Sequence, residues 1–372
     1  MNINTKQLRK AMLVVKKASN YSKGSLEIMG RIKLHADYDE QNLVITHDNL
    51  ERRIEYKVPY AGPAMLDPCL VDLKKFHKAV AIAKKDSDVV TLRNPRIDGP
   101  LEVITENTSS EILVRGEVGD YFKELEFPGL EAPLHKLDAD SFRLVLEQTV
   151  GHCAPDNGRK NLIGVNFAGG RAMASSEHTG VTVDEVPEII NGMIHRRAAT
   201  SLGYALKKTC TTALKYFAPS EDNEYHIFYN NAFTIWARDM KVSFPEMGEV
   251  LPEREEEMEV DPQSLQAAVD CMYRQRKLLA GSNEIHLGYP EGRLVLSGSE
   301  GATFDIKLDT EGEGEMLSIP VNAALVKEVT DTLGTGPVFV EVHGPLAPIT
   351  FRQGDVTALV MPLRYSECTR GE

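Results

Sequence analysis

Gly30-Arg-Ile-Lys-Leu34, followed by Leu43-Val-Ile-Thr46, is a pair of short segments with alternating or β-branched apolar residues. Such a pair is typical of neighbouring strands in an antiparallel sheet. The arrangement returns twice along the chain, as Gly164-Val-Asn-Phe167 with Arg171-Ala-Met-Ala174 and as Ile285-His-Leu287 with Arg293-Leu-Val-Leu296. A pattern that returns at a domain-sized interval indicates an internal repeat, and this repeat decides the fold.

An amphipathic helical segment precedes each strand pair, and a second one follows it. The second segments open near Val71, His195 and Pro320, so the openings lie 124 and 125 residues apart. Two similar joints, at residues 127–131 and 244–248, place proline and glycine where a strand would be interrupted. We therefore predict three tandem domains in the 372-residue chain, at residues 1–127, 128–250 and 251–372.

The remaining strand candidates indicate the fold class. Segments such as Tyr225-His-Ile-Phe-Tyr229 and Val338-Phe-Val-Glu-Val342 alternate or are rich in β-branched residues, as in antiparallel strands with one buried face. Each unit is thus predicted to be α+β, with two helices packed on antiparallel sheet. Three such units in a row leave open edge strands at both chain ends, and a closed assembly of several chains would cover them.

Composition argues against several classes of protein. No apolar run approaches the roughly 18 residues needed to span a bilayer, and the first residues lack the basic start of a signal peptide, so we expect a cytoplasmic protein. Neither a disulfide framework nor a zinc site is predicted, because the cysteines are odd in number, scattered and never in a Cys-x-x-Cys pair. They are Cys69, Cys153, Cys210, Cys271 and Cys368.

Charge is divided unequally along the chain. A net charge of −13 would by itself oppose a partner as acidic as DNA. Yet residues 5–23 carry six basic residues and no acidic one, residues 69–86 carry five lysines against two aspartates, and residues 195–215 carry five basic residues and no acidic one. Three predicted helices are therefore strongly basic, whereas residues 138–153 and 320–333 are slightly acidic.

The cations of the first helix are predicted to lie on one face. At 100° per residue they fall opposite the apolar residues Leu8, Met12 and Val15. Lysines on the outer face of one helix are commonly only a solvated surface. Three basic helices at related positions of a repeat instead indicate one basic surface, which is the electrostatic footprint of a polyanion partner.

Taken together, these segments resemble the bacterial-type DNA polymerase III beta sliding clamp, a processivity factor. The resemblance covers nearly the whole chain and rests on the threefold repeat together with four quoted segments. These are Leu8-Arg-Lys-Ala11, Leu43-Val-Ile-Thr-His-Asp-Asn-Leu-Glu51, Glu126-Phe-Pro-Gly-Leu130, and the ending Gly344-Pro-Leu-Ala-Pro348 with Ala358-Leu-Val-Met-Pro-Leu-Arg364. The ending is the most specific of them.

The resemblance implies three tandem DNA-clamp domains that form half of a six-domain ring. A head-to-tail homodimer would encircle duplex DNA without reading its sequence and would tether the replicative polymerase for processive synthesis. Such a protein is a non-catalytic subunit without a cofactor, and it would work at the nucleoid. Cations on its helices would offset phosphate repulsion without contacting bases, so that the ring could slide.

Two sets of site residues are expected. The basic helices supply DNA-binding candidates, and the resemblance adds the loop cations Lys23, Arg159 and Lys160. The helix candidates are Lys6, Arg9, Lys10, Lys17, Lys74, Lys78, Arg196, Arg197 and Lys207. The resemblance also implies a hydrophobic pocket, between the second and third domains, for short linear peptides of polymerase, clamp loader and repair proteins. Its matching positions are Leu162, Ser175, His178, Pro245, Val250, Leu346, Pro348, Val360, Met361, Pro362, Leu363 and Arg364.

The pocket departs from the family pattern. Glu177-His-Thr-Gly180 stands where the family has Gly-His-Arg-Leu, Ala323 where an aromatic residue is common, and Glu249 where a basic residue is common. The chain also continues for eight residues after Arg364. These differences predict a diverged clamp with an altered peptide preference.

Two alternatives stay open at this point. A diverged paralogue could act as a protein-binding accessory or decoy scaffold that no longer loads onto DNA. A cysteine-dependent hydrolase is suggested by Gly151-His-Cys153 with Asp156. Adjacent residues of one helix point about 100° apart, however, so His152 is poorly placed to activate Cys153 on the same helix.

Overall fold

The structure is a computed structural model of the chain, and part of the sequence lies outside its description. It describes residues 1–19, 27–49, 51–64, 66–86, 88–94, 99–114, 125, 127–128, 132–221, 223–247, 257–275, 284–288, 293–298, 305–311, 318–344 and 346–363. The candidates Lys23, Val250 and Arg364, the departure Glu249, and the segment after Arg364 with Cys368 lie outside these residues.

Each of the six predicted helical segments contains a helix. Within the described residues they are α1 (Thr5–Ala18), α2 (Leu73–Asp86), α3 (Ala139–Val150), α4 (Arg196–Thr209), α5 (Pro262–Gln275) and α6 (Ala323–Thr330). The helices are shorter than the sequence windows, because a short strand precedes most of them. Asn4 caps α1, for example, its side chain accepting from the amides of Lys6 and Gln7.

Short strands make up most of the remaining described chain. The first twelve are β1 (Asn2–Asn4), β2 (Arg31–Asp37), β3 (Asn42–Asp48), β4 (Arg52–Ala61), β5 (Cys69–Asp72), β6 (Val89–Arg93), β7 (Leu101–Ile104), β8 (Ser109–Ile112), β9 (His135–Asp138), β10 (Gly164–Ala168), β11 (Arg171–Ser175) and β12 (Thr179–Val183). The others are β13 (Gly192–His195), β14 (Ala213–Phe217), β15 (Tyr225–Tyr229), β16 (Phe233–Arg238), β17 (Glu257–Val260), β18 (Glu284–Gly288), β19 (Arg293–Gly298), β20 (Asp305–Glu311), β21 (Ser318–Asn322), β22 (Val338–Val342), β23 (Ile349–Gln353) and β24 (Val356–Val360).

These strands form two antiparallel sheets, which confirms the predicted α+β class. In the described chain the first sheet runs β8-β7-β6-β1-β4-β16-β15-β14-β9, with β2, β3 and β5 joined through β4. The second runs β13-β10-β11-β12-β24-β23-β22-β17-β20-β19-β18-β21. Each sheet thus combines strands from different copies of the repeat.

The chain forms two compact units that divide the middle copy. Unit 1 comprises residues 1–144 with 194–240, and unit 2 comprises residues 145–193 with 241–372. The physical reason is strand pairing: β16 of the middle copy pairs with β4 of the first, whereas β12 of the middle copy pairs with β24 of the third. Continuous sheet therefore crosses each boundary between copies.

The first helix shows how the repeat is stabilised. Leu8, Met12 and Val15 of α1 are fully buried, and α1 packs on β1, β3 and β4. Burying each such side chain contributes about 1.5–3 kcal/mol. Lys6, Lys16 and Lys17 point to solvent from the opposite face. The 3.6-residue period therefore predicted the buried side of this helix correctly.

Candidate functional site

Three basic helices lie side by side in unit 1. Helix α1 contacts α2 on one flank and α4 on the other. All three pack on the first sheet, since α1 contacts β4, α2 contacts β5 and α4 contacts β16. The threefold repeat predicted that basic helices would gather on one surface, and unit 1 brings these three together.

The helix cations occupy the sides that do not pack on the sheet. Their exposure follows the helical period: Lys6, Lys17, Lys74, Lys78 and Lys207 are exposed, and Arg9, Lys10, Arg196 and Arg197 are half-buried. Half-buried arginines and lysines can cover apolar surface with their stems while their charged ends remain in water. We call these nine residues the basic surface.

The electrostatics of His77 report how close the cations of α1 and α2 are. Burial lowers the pKa of this α2 side chain, and the charges of Lys16 and Arg9 on α1 lower it further. Like charges near a histidine disfavour its protonated form. The cations of α1 therefore act on a side chain of the neighbouring α2.

Helices α5 and α6 of unit 2 have a different charge. Lys327 Nζ lies 2.7 Å from Asp270 Oδ1 and 2.8 Å from Asp331 Oδ1. These two hydrogen bonds raise the pKa of Lys327 above its usual value. One cation is thus offset by two carboxylates. Arg276 and Lys277, which follow α5 in the sequence, lie outside the described residues.

The loop candidates Arg159 and Lys160 are exposed in unit 2, close to a short 3-10 helix (Lys160–Leu162). Arg159 does not point freely into solvent, because its Nε lies 3.0 Å from Glu177 Oε1. Glu177 belongs to the segment that departs from the family pattern. The sequence did not connect Arg159, an expected DNA contact, with the departure Glu177, since the two residues are 18 positions apart in the chain.

The Arg159–Glu177 pair predicts that Glu177→Gln raises affinity for duplex DNA. Both side chains are mostly exposed, so the ion pair is weak, and its loss makes the Arg159 charge available to phosphate. We expect about a threefold gain at low salt, vanishing at high salt, measured by fluorescence anisotropy with a labelled duplex. Glu188→Gln, an exposed glutamate of the same unit, is the control for net charge. Equal gains in both variants would contradict a specific role for the pair.

Strands β12 and β24 form the centre of the predicted pocket. Thr179 pairs with Val360 and Gly180 with Leu359 in this antiparallel pair. Immediately after β24, the amide of Met361 donates to the carbonyl of His178 at 2.9 Å. The pairing of two strands from distant parts of the sequence therefore places Val360 and Met361 next to His178.

Neighbouring segments extend this framework. Ser175 Oγ donates to the Thr179 carbonyl at 3.1 Å, which holds the turn before β12. The amide of Leu363 donates to the carbonyl of Pro320 at 2.8 Å, so the chain after β24 also runs beside β21. Met361, Pro362 and Leu363 are half-buried there. Partly exposed apolar side chains at fixed positions can contact a ligand without first unfolding.

The other pocket candidates differ in exposure. Leu162 is buried at the end of the 3-10 helix, with its carbonyl accepting from Ala154, and Pro348 is buried before β23. Leu346 is 73% exposed and Pro245 is also exposed. The recorded hydrogen bonds and strand pairs unite Ser175, His178, Val360, Met361 and Leu363. That Leu162, Pro245 and Leu346 belong to the same pocket stays a prediction.

Two of the residues that depart from the family pattern, Ala323 and Gly180, lie in the described part of the chain. Ala323 is the buried first residue of α6, at 1% exposure, following the cap Asn322. Gly180 lies against Met247, a buried residue of the second joint. Met247 was absent from the predicted site, although the Phe-Pro-Glu-Met joint is visible in the sequence. Only packing shows that its side chain reaches β12.

The suggested cysteine–histidine pair lies just after α3. The prediction that His152 and Cys153 share a helix is wrong: α3 ends at Val150, and both residues lie buried in the turn that follows. His152 Nε2 lies 2.8 Å from Thr332 Oγ1, while Cys153 Sγ donates to the Thr149 carbonyl at 3.9 Å. Burial lowers the pKa of His152 to about 4. The other ring nitrogen, Nδ1, lies 3.8 Å from Glu328 Oε1, so the imidazole lies between a threonine and a glutamate.

The described part of the chain contains no cluster of three His, Cys, Asp or Glu side chains able to hold a metal. None of the four cysteines in the described ranges forms a disulfide. Across those ranges, no helix combines the length and apolar character required to cross a lipid bilayer.

Solved structures of bacterial sliding clamps share this fold. The DNA polymerase III beta subunit of Thermotoga maritima matches with a TM-score of 0.83 at 18% identity, over 98% of this chain and 99% of that chain. The Pseudomonas aeruginosa DNA polymerase sliding clamp gives 0.80 at 18% identity, with the same coverage. A Bartonella birtlesii sliding clamp bound to griselimycin gives 0.80 at 17% identity, over 98% and 99% of the two chains.

Sequence comparison alone finds less. No family model matches the chain, and no curated protein matches it. The structural matches alone show that the chain has the fold of the sliding clamps over nearly its whole length. Their low sequence identities fit the predicted divergence.

Proposed function

We propose that this chain is a DNA sliding clamp subunit, built of three domains at residues 1–127, 128–250 and 251–372. Two copies would close head to tail into a ring around duplex DNA. The ring would tether a polymerase and other partners without catalysing a reaction itself. It would act in the cytoplasm, at the nucleoid. The shared fold supports the general assignment, and strand pairing inside the chain supports closure of the ring.

The supporting observation is an incomplete series of strand pairs. In the second and third copies, three consecutive strands form a meander, and its last strand pairs with a strand of the preceding copy. Thus β16 pairs with β4, and β24 pairs with β12. The corresponding last strand of the first copy is β8, which is at the edge of its sheet. The strand of the third copy that corresponds to β4 and β12 is β20. One pair of this series is therefore missing within a chain.

The missing pair can form between two chains. At residues 305–309, β20 pairs with β19 on one flank, and β17 joins only at Thr310 and Glu311. The other flank of residues 305–309 has no strand partner in the described chain. Pairing β8 of one chain with β20 of a second chain would repeat the two junctions found inside each chain. Two such pairs close a dimer. Light scattering should then give about 83 kDa rather than the 41.3 kDa of one chain.

The basic surface supplies the electrostatic part of the proposal. Three adjacent basic helices in a chain of net charge −13 localise positive potential on one side of the first sheet. Contacts to phosphate alone would bind DNA without sequence preference and allow the ring to slide. The acidic remainder would discourage DNA from binding elsewhere on the protein.

The pocket around β12 and β24 is proposed to take short linear peptides. Leu363→Ala, and separately Met361→Ala, should weaken binding of the cognate polymerase peptide by about 10- to 100-fold, the loss expected when an apolar contact is truncated. Isothermal calorimetry would measure it. Leu134→Ala, at an exposed leucine of unit 1, is the control. Undiminished binding to both pocket variants would place the peptide elsewhere.

A second candidate is a paralogue that binds proteins but is not loaded onto DNA. The observation in its favour is that Glu177 neutralises Arg159, one of the expected DNA contacts. The two functions differ in one measurement: a sliding clamp stays on nicked circular DNA after loading and leaves when the circle is cut. Failure of the clamp loader to place the dimer on a circle would favour the accessory role.

A further inference from the structure

Gly180 is an unusual residue for its position in the second sheet. It lies inside β12, paired with Ser175 of β11 on one side and Leu359 of β24 on the other. Its φ is outside the left-handed region, so the backbone conformation would accept any residue. A glycine inside a strand costs stability and often marks a place where another group approaches closely.

The approaching group is the side chain of Met247. A Cβ atom on residue 180 would lie 2.6 Å from Met247 Cε, well inside contact distance, whereas Leu359 Cγ and Cδ2 would be at 3.4 and 3.5 Å. Met247 is 5% exposed, although Pro245 and Glu246 before it are exposed. One residue of an otherwise exposed segment therefore turns inward, and the missing side chain of Gly180 makes room for it.

This contact lies within the framework of the proposed pocket. Side chains alternate between the two faces of a sheet, so Leu359 shares a face with Met361, two residues further along, and not with the adjacent Thr179–Val360 pair. The amide of Met361 is tied to the carbonyl of His178 there. The end of the Met247 side chain therefore lies on the face of β12 and β24 that carries Leu359 and leads to Met361. A thioether chain with three rotatable bonds can adopt another conformation more readily than a branched side chain.

We propose that Met247 is a displaceable side-chain plug that decides which peptides the pocket accepts. The inference rests on the proposed peptide-binding function. A peptide with a bulky apolar anchor, of leucine or phenylalanine size, would displace the Met247 methyl group from Gly180 and Leu359 and occupy its seat. A peptide with a small anchor gains too little buried surface to do so. Met247 is therefore a specificity-determining residue.

The energetic consequence can be measured because the plug competes with the ligand. A site that is mostly closed by its own side chain binds more weakly, in proportion to the fraction of open molecules. Met247→Ala empties the seat and should raise affinity for bulky-anchor peptides by about tenfold. Met247→Leu keeps the seat filled with a side chain of similar volume and should stay within about twofold of the native protein.

A third variant tests the same contact from the other side. In Gly180→Ala, the new methyl group meets only the flexible end of Met247 and makes ordinary contact with Leu359. The strand should therefore fold normally while Met247 is pushed out of its seat. We expect the methyl resonance of Met247 in 13C-methyl-methionine NMR to move to an exposed position. Met247→Leu, which lacks that signal, identifies it.

The probe is a fluorescein-labelled peptide selected on the full-length native chain from a random dodecapeptide display library. Its anchor is then varied from Phe to Leu, Val and Ala. The proposal expects the Met247 methyl signal to shift on peptide binding, and the preference for large over small anchors to weaken in Met247→Ala. Circular dichroism melting shows that each variant is folded.

The outcomes separate the plug from the function on which it rests. Peptides that lose affinity in Leu363→Ala, but bind native protein and Met247→Ala equally with an unmoved methyl signal, would overturn the plug and leave the pocket. Peptides insensitive to Leu363→Ala, or a selection that returns none, would overturn the pocket and the plug together.

Discussion

Glu111→Pro is expected to convert the proposed dimer into a monomer of 41.3 kDa. Glu111 is an exposed residue of β8, the strand at the edge of the first sheet. If β8 pairs with β20 of a second copy, removal of one backbone donor and insertion of a proline ring at that edge should prevent the ladder from forming. Light scattering at micromolar concentration would measure the change.

The hydrogen-bond pattern of β8 makes residue 111 the suitable position. The amide of Thr105 donates to the carbonyl of Thr108 at 2.8 Å, which marks these residues as a hydrogen-bonded pair. Such pairs alternate with pairs that are not hydrogen-bonded, so Ser110 and Ile112 bond inward to β7, whereas the amides of Ser109 and Glu111 point away from it. Proline at 111 therefore spares the chain's own sheet.

The control distinguishes the backbone from the side chain. Glu111→Ala removes the carboxylate but keeps the outward amide, so it should remain about 83 kDa. Thermal unfolding of both variants would show that the first sheet is intact. A Glu111→Pro protein that remains dimeric, with an unchanged dissociation constant, would show that β8 does not form the contact between chains.

Reversal of three charges in the basic surface should have the second large effect. The triple variant Lys10→Glu, Lys78→Glu, Lys207→Glu places one acidic residue on each of α1, α2 and α4. We expect it to abolish stimulation of polymerase processivity and to leave the dimer intact. Each lost phosphate contact lowers the slope of log affinity against log salt by about 0.9, so three contacts in a protomer lower it by roughly 3.

A matched variant controls for total charge. Lys136, Lys215 and Lys241 are exposed lysines that belong to none of the three helices. Their combined change to glutamate alters the net charge by the same amount and should reduce processivity only slightly. If both triple variants stimulate the polymerase alike, the helices do not face DNA, and the assignment of the basic surface fails.

Periodicity predicted the elements better than their ends or their partners. The alternation in Tyr225–Tyr229 and Val338–Val342 matched β15 and β22 to the residue, and the period of α1 identified Leu8, Met12 and Val15 as core. Helix ends were less well predicted. The predicted helical segment 138–153 extended past Val150, where α3 ends, because a buried turn carries the same apolar residues as a buried helix face.

Packing between distant segments escaped the sequence for a different reason. Arg159 and Glu177, or Gly180 and Met247, meet only in the folded chain, where separate segments pack together. No local pattern encodes such a contact, since each residue is unremarkable among its neighbours in the chain. Gly180 was noticed only as a departure from a family pattern.

Hydrophobic period and charge are properties of neighbouring residues, so the repeat, the α+β class and the basic character of three helices were predictable from the sequence. The pairing of β16 and β24 with strands of the preceding copy, the contacts of α1 with α2 and α4, and the contact of Met247 with Gly180 came only from the folded chain. Those results depend on strand register and side-chain volume, which take effect when remote segments are packed together.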